Sequence, residues 1–190
     1  EIIEINENTF DINKNHFCKK AYEEKKWAFV SDYARLKTIY ENWWIYFDTD
    51  LELIKNIDIF LDNIFFTCYE KKPIINFAAF WAIKWTAYNK KMLEQYNKLD
   101  YYKTIPNIWT DIYKLLSKEE KNDILVLNQE YFYPFDFDTK FTKKCIKANT
   151  YWIHWWETSW YPWYYKLIKK IWLLWLVPIL GNIKNKILKK

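Results

Sequence analysis

Two hydrophobic periods alternate along the chain. In "AFVSDYARLKTIYEN" (28 to 42), Phe29, Tyr33, Leu36 and Tyr40 fall on one stripe at steps of three and four, which predicts a helix. A second helix is predicted just before it, at 15 to 25, where mixed charges recur at helical spacing. Short runs rich in β-branched and aromatic residues follow: "IYFDTD" (45 to 50), "IFFTCYE" (64 to 70), "NFAAFWAI" (76 to 83), "DILVLN" (123 to 128) and "NTYWIHWW" (149 to 156). Each has the length and composition of a strand, and "LELIK" extends the first of them. Further helices are predicted at 86 to 98, at 110 to 118 and from about 162, while residues 1 to 13 read as a strand end and a polar loop. Strands alternating with helices predict an α/β fold, a sheet sandwiched between helices. There is neither an internal repeat nor an interdomain linker.

Composition narrows the class. With 190 residues, 51% of them apolar and 28% charged, the chain has the material for one core and is too evenly mixed for a disordered or polytopic membrane protein. Cys18, Cys68 and Cys145 are odd in number and widely spaced, which argues against a disulfide framework or a zinc site and predicts reduced core thiols in the cytosol. The chain opens inside an apolar "EIIEI" run without an initiator methionine or a signal peptide, so a missing N-terminal part is expected.

The net charge of +5 is confined to one place. Residues 158 to 190 hold seven lysines and no acid, and subtracting them leaves about −2 for the remainder. In that tail Tyr164, Leu167, Ile168, Ile171, Leu174 and Trp175 form an apolar stripe opposite Lys166, Lys169 and Lys170, and Pro178 and Gly181 end it. An apolar run of about 11 residues is too short to span a bilayer, which needs about 20. A basic amphipathic helix suits an anionic membrane surface, and it equally suits a C-terminal helix packed on the domain with its lysines in water. The division expected is therefore a folded domain over 1 to 161 and a basic amphipathic tail over 162 to 190. Nucleic acid is a poor partner, because the aromatics are not interleaved with the basic residues.

Candidate chemistry centres on "FDTD". Asp48 and Asp50 follow an apolar strand and are separated by Thr49; such paired carboxylates are hard oxygen ligands for Mg²⁺ or Mn²⁺ carrying a diphosphate. Thirteen residues before Asp48, "SDYAR" sets Asp32 and Arg35 on one helical face. Arg35 is the one arginine among 29 basic residues, which points to a planar bidentate fork that lysine could not replace.

These blocks together, "SDYAR" and "YENWWIYFDTD", resemble the DXD sugar-binding region of glycosyltransferase family 32, whose members include capsular-polysaccharide and mannosyl transferases. The likeness extends to "INFAAFWAIK", "QEYFYPF" and "NTYWIHWWETSW" and covers most of residues 5 to 160. It implies a GT-A-type fold, a Rossmann-like mixed sheet flanked by helices with its first strand missing. It also implies a hexosyltransferase that moves a sugar from a UDP- or GDP-sugar to a glycan or lipid-linked acceptor in surface polysaccharide synthesis, with retention of configuration. On that resemblance Asp50 is the principal metal ligand and His154 a third ligand or diphosphate contact, with Mn²⁺ or Mg²⁺ as cofactor. Asp48 and Tyr46 hold the donor's ribose or sugar, and Asp32 and Arg35 grip sugar hydroxyls and diphosphate. Asn76 lies near the sugar pocket, and Ser159 and Trp160 sit on a loop closing over the diphosphate. The implied location is cytoplasmic, peripheral on the inner face of the membrane.

Where the family has Gly-Gly, this chain has Trp43-Trp44. It holds one glycine and 13 tryptophans, against about 13 glycines at ordinary usage near 7%. The expectation is that many of these tryptophans, including those near Trp81, Trp85 and Trp152, are glycines of the native protein, encoded by UGA. Trp27, Trp156 and Trp160 suit aromatic positions. A competing reading, a catalytically inactive, basic membrane-surface or scaffold module on the same fold, is favoured if Trp43 and Trp44 crowd the site.

Overall fold

The computed structural model describes residues 4–157. Two helices come first: α1 (His16–Glu23), capped by Asn15, whose side chain accepts from the Cys18 amide, and α2 (Trp27–Glu41). The stripe on α2 buries Tyr33, Leu36 and Ile39. After it come β1 (Trp44–Phe47), β2 (Leu51–Leu53), α3 (Asp58–Leu61), β3 (Phe65–Lys71), β4 (Ile74–Ala82), α4 (Ala87–Tyr96), α5 (Ile105–Leu115), α6 (Lys118–Asn122), β5 (Ile124–Leu127) and β6 (Trp152–His154).

Strands β1, β4, β3 and β5 form a mixed sheet in that order. β4 runs antiparallel to both β1 and β3, and β5 runs parallel to β3, so β1, β3 and β5 all point the same way. β2 and β6 make a separate antiparallel ribbon with Leu51 opposite His154.

Two cores flank the sheet, and they are built differently. On one side Leu36, Phe65, Phe77, Phe80, Met92 and Trp109 join helices α1, α2, α4 and α5 to the sheet. On the other, Phe60, Phe66, Ala78, Phe132, Tyr133 and Trp152 pack under α3, the β2–β6 ribbon and irregular segments. The expected sandwich of long helices is thus realised on one face only among the described residues. The second face takes its cover from aromatic side chains presented by turns. Other corrections are local. The helix expected at 110 to 118 begins at Ile105, with Pro106 in its first turn, where a missing N–H costs nothing. Residues 4–13 carry no strand, and they run into a 3-10 turn at Ile12–Lys14. All three cysteines are free; Cys18 and Cys68 are buried and Cys145 is half-buried. No helix of the described residues is long and apolar enough to cross a membrane. The predicted tail helix and the closing loop at Ser159 and Trp160 lie outside the described residues.

The corner from β4 into α4 has an unusual residue. Trp85 adopts φ 57° while its amide donates to Tyr40 O at 2.9 Å. That left-handed conformation suits glycine and disfavours a large side chain, and the Trp85 indole is 67% exposed. Trp156 also has φ 57°, but it is buried and its Nε1 donates to Phe135 O at 3.0 Å.

Candidate metal and donor site

Because β1, β3 and β5 are parallel, their C-terminal ends converge on one edge of the sheet. Asp48 is the first residue past β1; its amide donates to Ala78 O at 2.6 Å, which fixes the backbone just as the strand ends. The chain turns at Thr49-Asp50 into β2, and pairing of β2 with β6 delivers His154 to the same place. His154 Nε2 lies 3.3 Å from Asp50 Oδ1 and 3.9 Å from Asp48 Oδ2. One ligand atom from each of the three residues lies within 4.8 Å of the others. Asp50 is held further by the residues that follow β6, accepting from the Trp155 amide at its carbonyl and from the Glu157 amide at Oδ2, at 2.9 and 2.8 Å.

The electrostatics are mutual. Burial works against ionisation of Asp50, but His154 and the Glu157 amide outweigh it and hold the carboxyl below its usual range. Burial likewise works against a charged His154, and the two aspartates outweigh it, raising the imidazole above its ordinary value. Two carboxylates and an imidazole nitrogen form a donor set of the kind that Mn²⁺ or Mg²⁺ accepts. His154 Nδ1 is buried without a hydrogen-bond partner, so no neighbour dictates the tautomer; Nε2 faces the two carboxylates as a donor, and on losing its proton it would offer its lone pair to a cation held between them. These residues fit a divalent cation.

Arg35 reaches the site from α2. Its Nη2 pairs with Asp32 Oδ1 at 2.8 Å and its Nη1 with Asp48 Oδ1 at 3.1 Å. The guanidinium lies over the Tyr46 ring at 4.5 Å, and Tyr46 Oη donates to the same Asp48 oxygen at 2.6 Å. Asp32, Arg35, Tyr46 and Asp48 are therefore one connected unit. Asp32 and Arg35 are shielded to the same degree. Burial raises the Asp32 carboxyl to about 6, with Arg35 opposing the shift and Asp48 adding to it. The planar fork expected of the sole arginine is present, and here it is spent on two aspartates of this chain.

Asn76 belongs to the same edge, but its amide is engaged within the chain. Oδ1 accepts from the Phe77 and Ala78 amides at 2.5 and 2.8 Å, and Nδ2 donates to Glu70 Oε2 at 2.6 Å. The sequence reading also missed the packing of His154, which contacts Tyr133 (ring centroids 5.4 Å) and Trp156 (4.4 Å, T-shaped). Tyr133 lies inside "QEYFYPF", a block that was noticed without a role for any one residue.

Trp43 and Trp44 stand at the opposite end of β1, about 13 Å of strand away from Asp48. Their exposures are 63% and 37%. They do not crowd the carboxylates. Trp44 instead lines a groove of about 480 Å³ between the N-terminal segment, α2 and β1, which also includes Arg35 and Tyr46.

Residues 1–69 match the family model described as the glycosyltransferase sugar-binding region containing the DXD motif. The matched segment contains Asp32, Arg35, Tyr46, Asp48 and Asp50, and it supports a glycosyltransferase using a nucleotide-sugar donor. No curated protein and no solved structure matches the chain.

Proposed function

We propose that this chain is a metal-dependent hexosyltransferase of the GT-A type, moving a sugar from a UDP- or GDP-sugar to a glycan or lipid-linked hydroxyl with retention, in surface polysaccharide synthesis. One observation supports the reading above all: Asp48, Asp50 and His154 converge within 4.8 Å at a sheet edge, inside and beyond a segment matched by a DXD glycosyltransferase model. Asp50 and His154, with Asp48 beside them, would hold Mn²⁺ or Mg²⁺, which would neutralise charge on the departing diphosphate. Arg35 orients Asp48 through its 3.1 Å contact. Its cationic charge also lies where negative charge develops as the anomeric C–O bond breaks, the arrangement that lowers such barriers most. Tyr46 locks the second approach to Asp48 Oδ1, leaving Oδ2 toward His154. Asp32 anchors Arg35 from beneath. Ser159 and Trp160 are proposed to close over the diphosphate and exclude water.

The basic segment at 162 to 190 is proposed to hold the enzyme on the anionic inner face of a membrane, each lysine adding about 1 kcal/mol near such a surface. The inactive-scaffold alternative is favoured where Trp43 and Trp44 crowd the site; they stand about 13 Å of strand from Asp48, and Trp44 shares a groove with Arg35 and Tyr46. The deciding experiment is nucleotide release by the full chain with Mn²⁺ across a panel of UDP- and GDP-sugars. Release that EDTA abolishes and Mn²⁺ restores is expected. No release from any donor would reject the reading.

A further inference from the structure

The sheet edge carries one more carboxylate than a metal site needs. Glu70 sits near the C-terminal end of β3, which runs parallel to β1, so it emerges at the same edge as Asp48. Its charge is felt by His154, by Asp136 and by the Tyr133 hydroxyl, which sets it beside the triad. Oε2 is pinned by Asn76 Nδ2 at 2.6 Å, and Asn76 is itself clamped by two backbone amides, at 2.5 and 2.8 Å. Oε1 has no hydrogen-bond donor among the described residues, and no lysine or arginine there pairs with Glu70.

Such a group is costly to keep. A half-buried carboxylate without a cation gives up hydration that one amide hydrogen bond does not restore. Burial accordingly pushes the Glu70 carboxyl up, with Asn76 opposing. Next to it Tyr133 is 1% exposed; its hydroxyl lies by the Ala78 amide, which is already given to Asn76 at 2.8 Å, and makes no hydrogen bond of full geometry. A rigid carboxylate with one open oxygen, adjoining a buried hydroxyl without such a bond at the mouth of a metal-binding edge, is arranged to receive a hydroxyl from outside. Sites of this kind discriminate strongly, because an analogue lacking the hydroxyl leaves buried polar groups unpaired.

We propose that Glu70, positioned by Asn76, accepts a hydrogen bond from a sugar hydroxyl of the substrates and is a specificity-determining residue of this site. The inference rests on the glycosyl-transfer reading above. The hydroxyl belongs either to the donor's hexose or to the acceptor, and the two sources predict different kinetics.

The test compares the full-length chain with Glu70→Gln and Glu70→Asp, with Mn²⁺ present. Three quantities are measured: donor hydrolysis by nucleotide release, transfer to p-nitrophenyl hexosides, and the inhibition constant of free UDP or GDP. A donor contact lowers hydrolysis kcat/KM for the preferred sugar by about tenfold or more and erases discrimination against its epimers. An acceptor contact instead lowers transfer by that factor through a raised acceptor KM, while hydrolysis falls less than about threefold. In either case free-nucleotide inhibition holds within about twofold, and Glu70→Asp recovers part of the loss. A variant in which nucleotide affinity collapses together with turnover, or in which nothing changes, overturns the proposal. If Glu70→Gln does not fold, Glu70→Asp decides by the same split. A wild type that transfers to none of the hexosides overturns the acceptor arm, and one that releases nucleotide from no donor overturns the parent reading as well.

Discussion

The two ends of β1 are separated by about 13 Å of strand and are assembled on opposite terms. At the C-terminal end, Asp48 accepts from Tyr46 and Arg35 and faces His154, and Asp50 is held by two amides that follow β6. Polar groups there constrain one another, and a change in any one is felt by the rest. At the N-terminal end Trp43 and Trp44 lie exposed, and Trp43 makes a T-shaped ring contact with Trp81 at 6.2 Å. Little there depends on the identity of the side chain. The contrast separates residues kept for chemistry from residues that merely occupy a turn, and substitutions at the two ends should diverge accordingly.

The largest effect is expected from Asp50→Asn. A neutral amide cannot replace a carboxylate toward Mn²⁺, so metal-dependent donor turnover should fall by about 10²–10³. Mn²⁺ affinity, read by calorimetry, should fall with it, and circular dichroism should report an intact fold. Turnover within a few-fold of wild type would place the metal elsewhere and dissolve the contrast between the two ends.

Arg35→Lys comes next. Lysine keeps the charge but cannot span Asp32 and Asp48 at 2.8 and 3.1 Å from one planar group while lying over Tyr46. Donor kcat/KM should drop by about 10–100-fold, the range found when groups supporting a metal ligand are removed. Near-normal kinetics would reduce Arg35 to a helix ion pair and leave Asp48 without need of its support.

A smaller signature lies in pH. Asp32 faces Arg35, Asp48, Tyr96 and the Ile105 amide, and burial raises it to about 6. In the unfolded chain it titrates near 3.9. Between about pH 4 and pH 6 the folded state therefore holds more protons on this group, so its contribution to stability declines as pH rises through that window and is constant outside it. Asp32→Asn removes the titration. Its Tm should lose that part of the slope between pH 4 and 6 relative to wild type, whatever its offset. An unchanged slope would mean that Arg35 keeps Asp32 ionised throughout.

Legibility followed the same division. The apolar stripe of α2, the strand runs and the "FDTD" carboxylates could be read because each is a local pattern with a physical period or chemistry. That His154 would reach Asp50 followed from family likeness alone, since the pairing of β2 with β6 joins residues about a hundred positions apart and no local period records it. Glu70 carried a readable signal: like Asp48, it is an acid at the end of an apolar strand. It was passed over for lack of a second acid beside it. Helices were expected on both faces because strand–helix alternation says nothing of which face a helix takes. The aromatic cover of the second face came from "QEYFYPF", for which no element was expected, and from "NTYWIHWW", which read as a strand. The engagement of Arg35 with two aspartates of its own chain depends on sheet register as well as helix spacing.

The smallest effect should appear at the tryptophan end, and its sign is the informative part. A large side chain in the left-handed region costs about 1–2 kcal/mol, whereas Trp85, at φ 57° and 67% exposed, contributes little beyond a 6.0 Å contact with Lys84. Trp85→Gly should therefore raise stability by about 1 kcal/mol after glycine's greater chain entropy is set against the relieved strain. Trp43→Gly, with no positive φ to relieve, should stay within about 0.5 kcal/mol. Denaturant midpoints at constant m-value measure both. A gain at Trp85 is what a glycine codon at that corner requires, and the source gene offers an independent reading: TGA at codon 85 agrees with a native glycine, whereas TGG together with a destabilised Trp85→Gly would make the tryptophan the native residue. In that case the exposed indoles at this end of β1 would need a partner of their own, and the contrast with the carboxylate end would become one between two working surfaces.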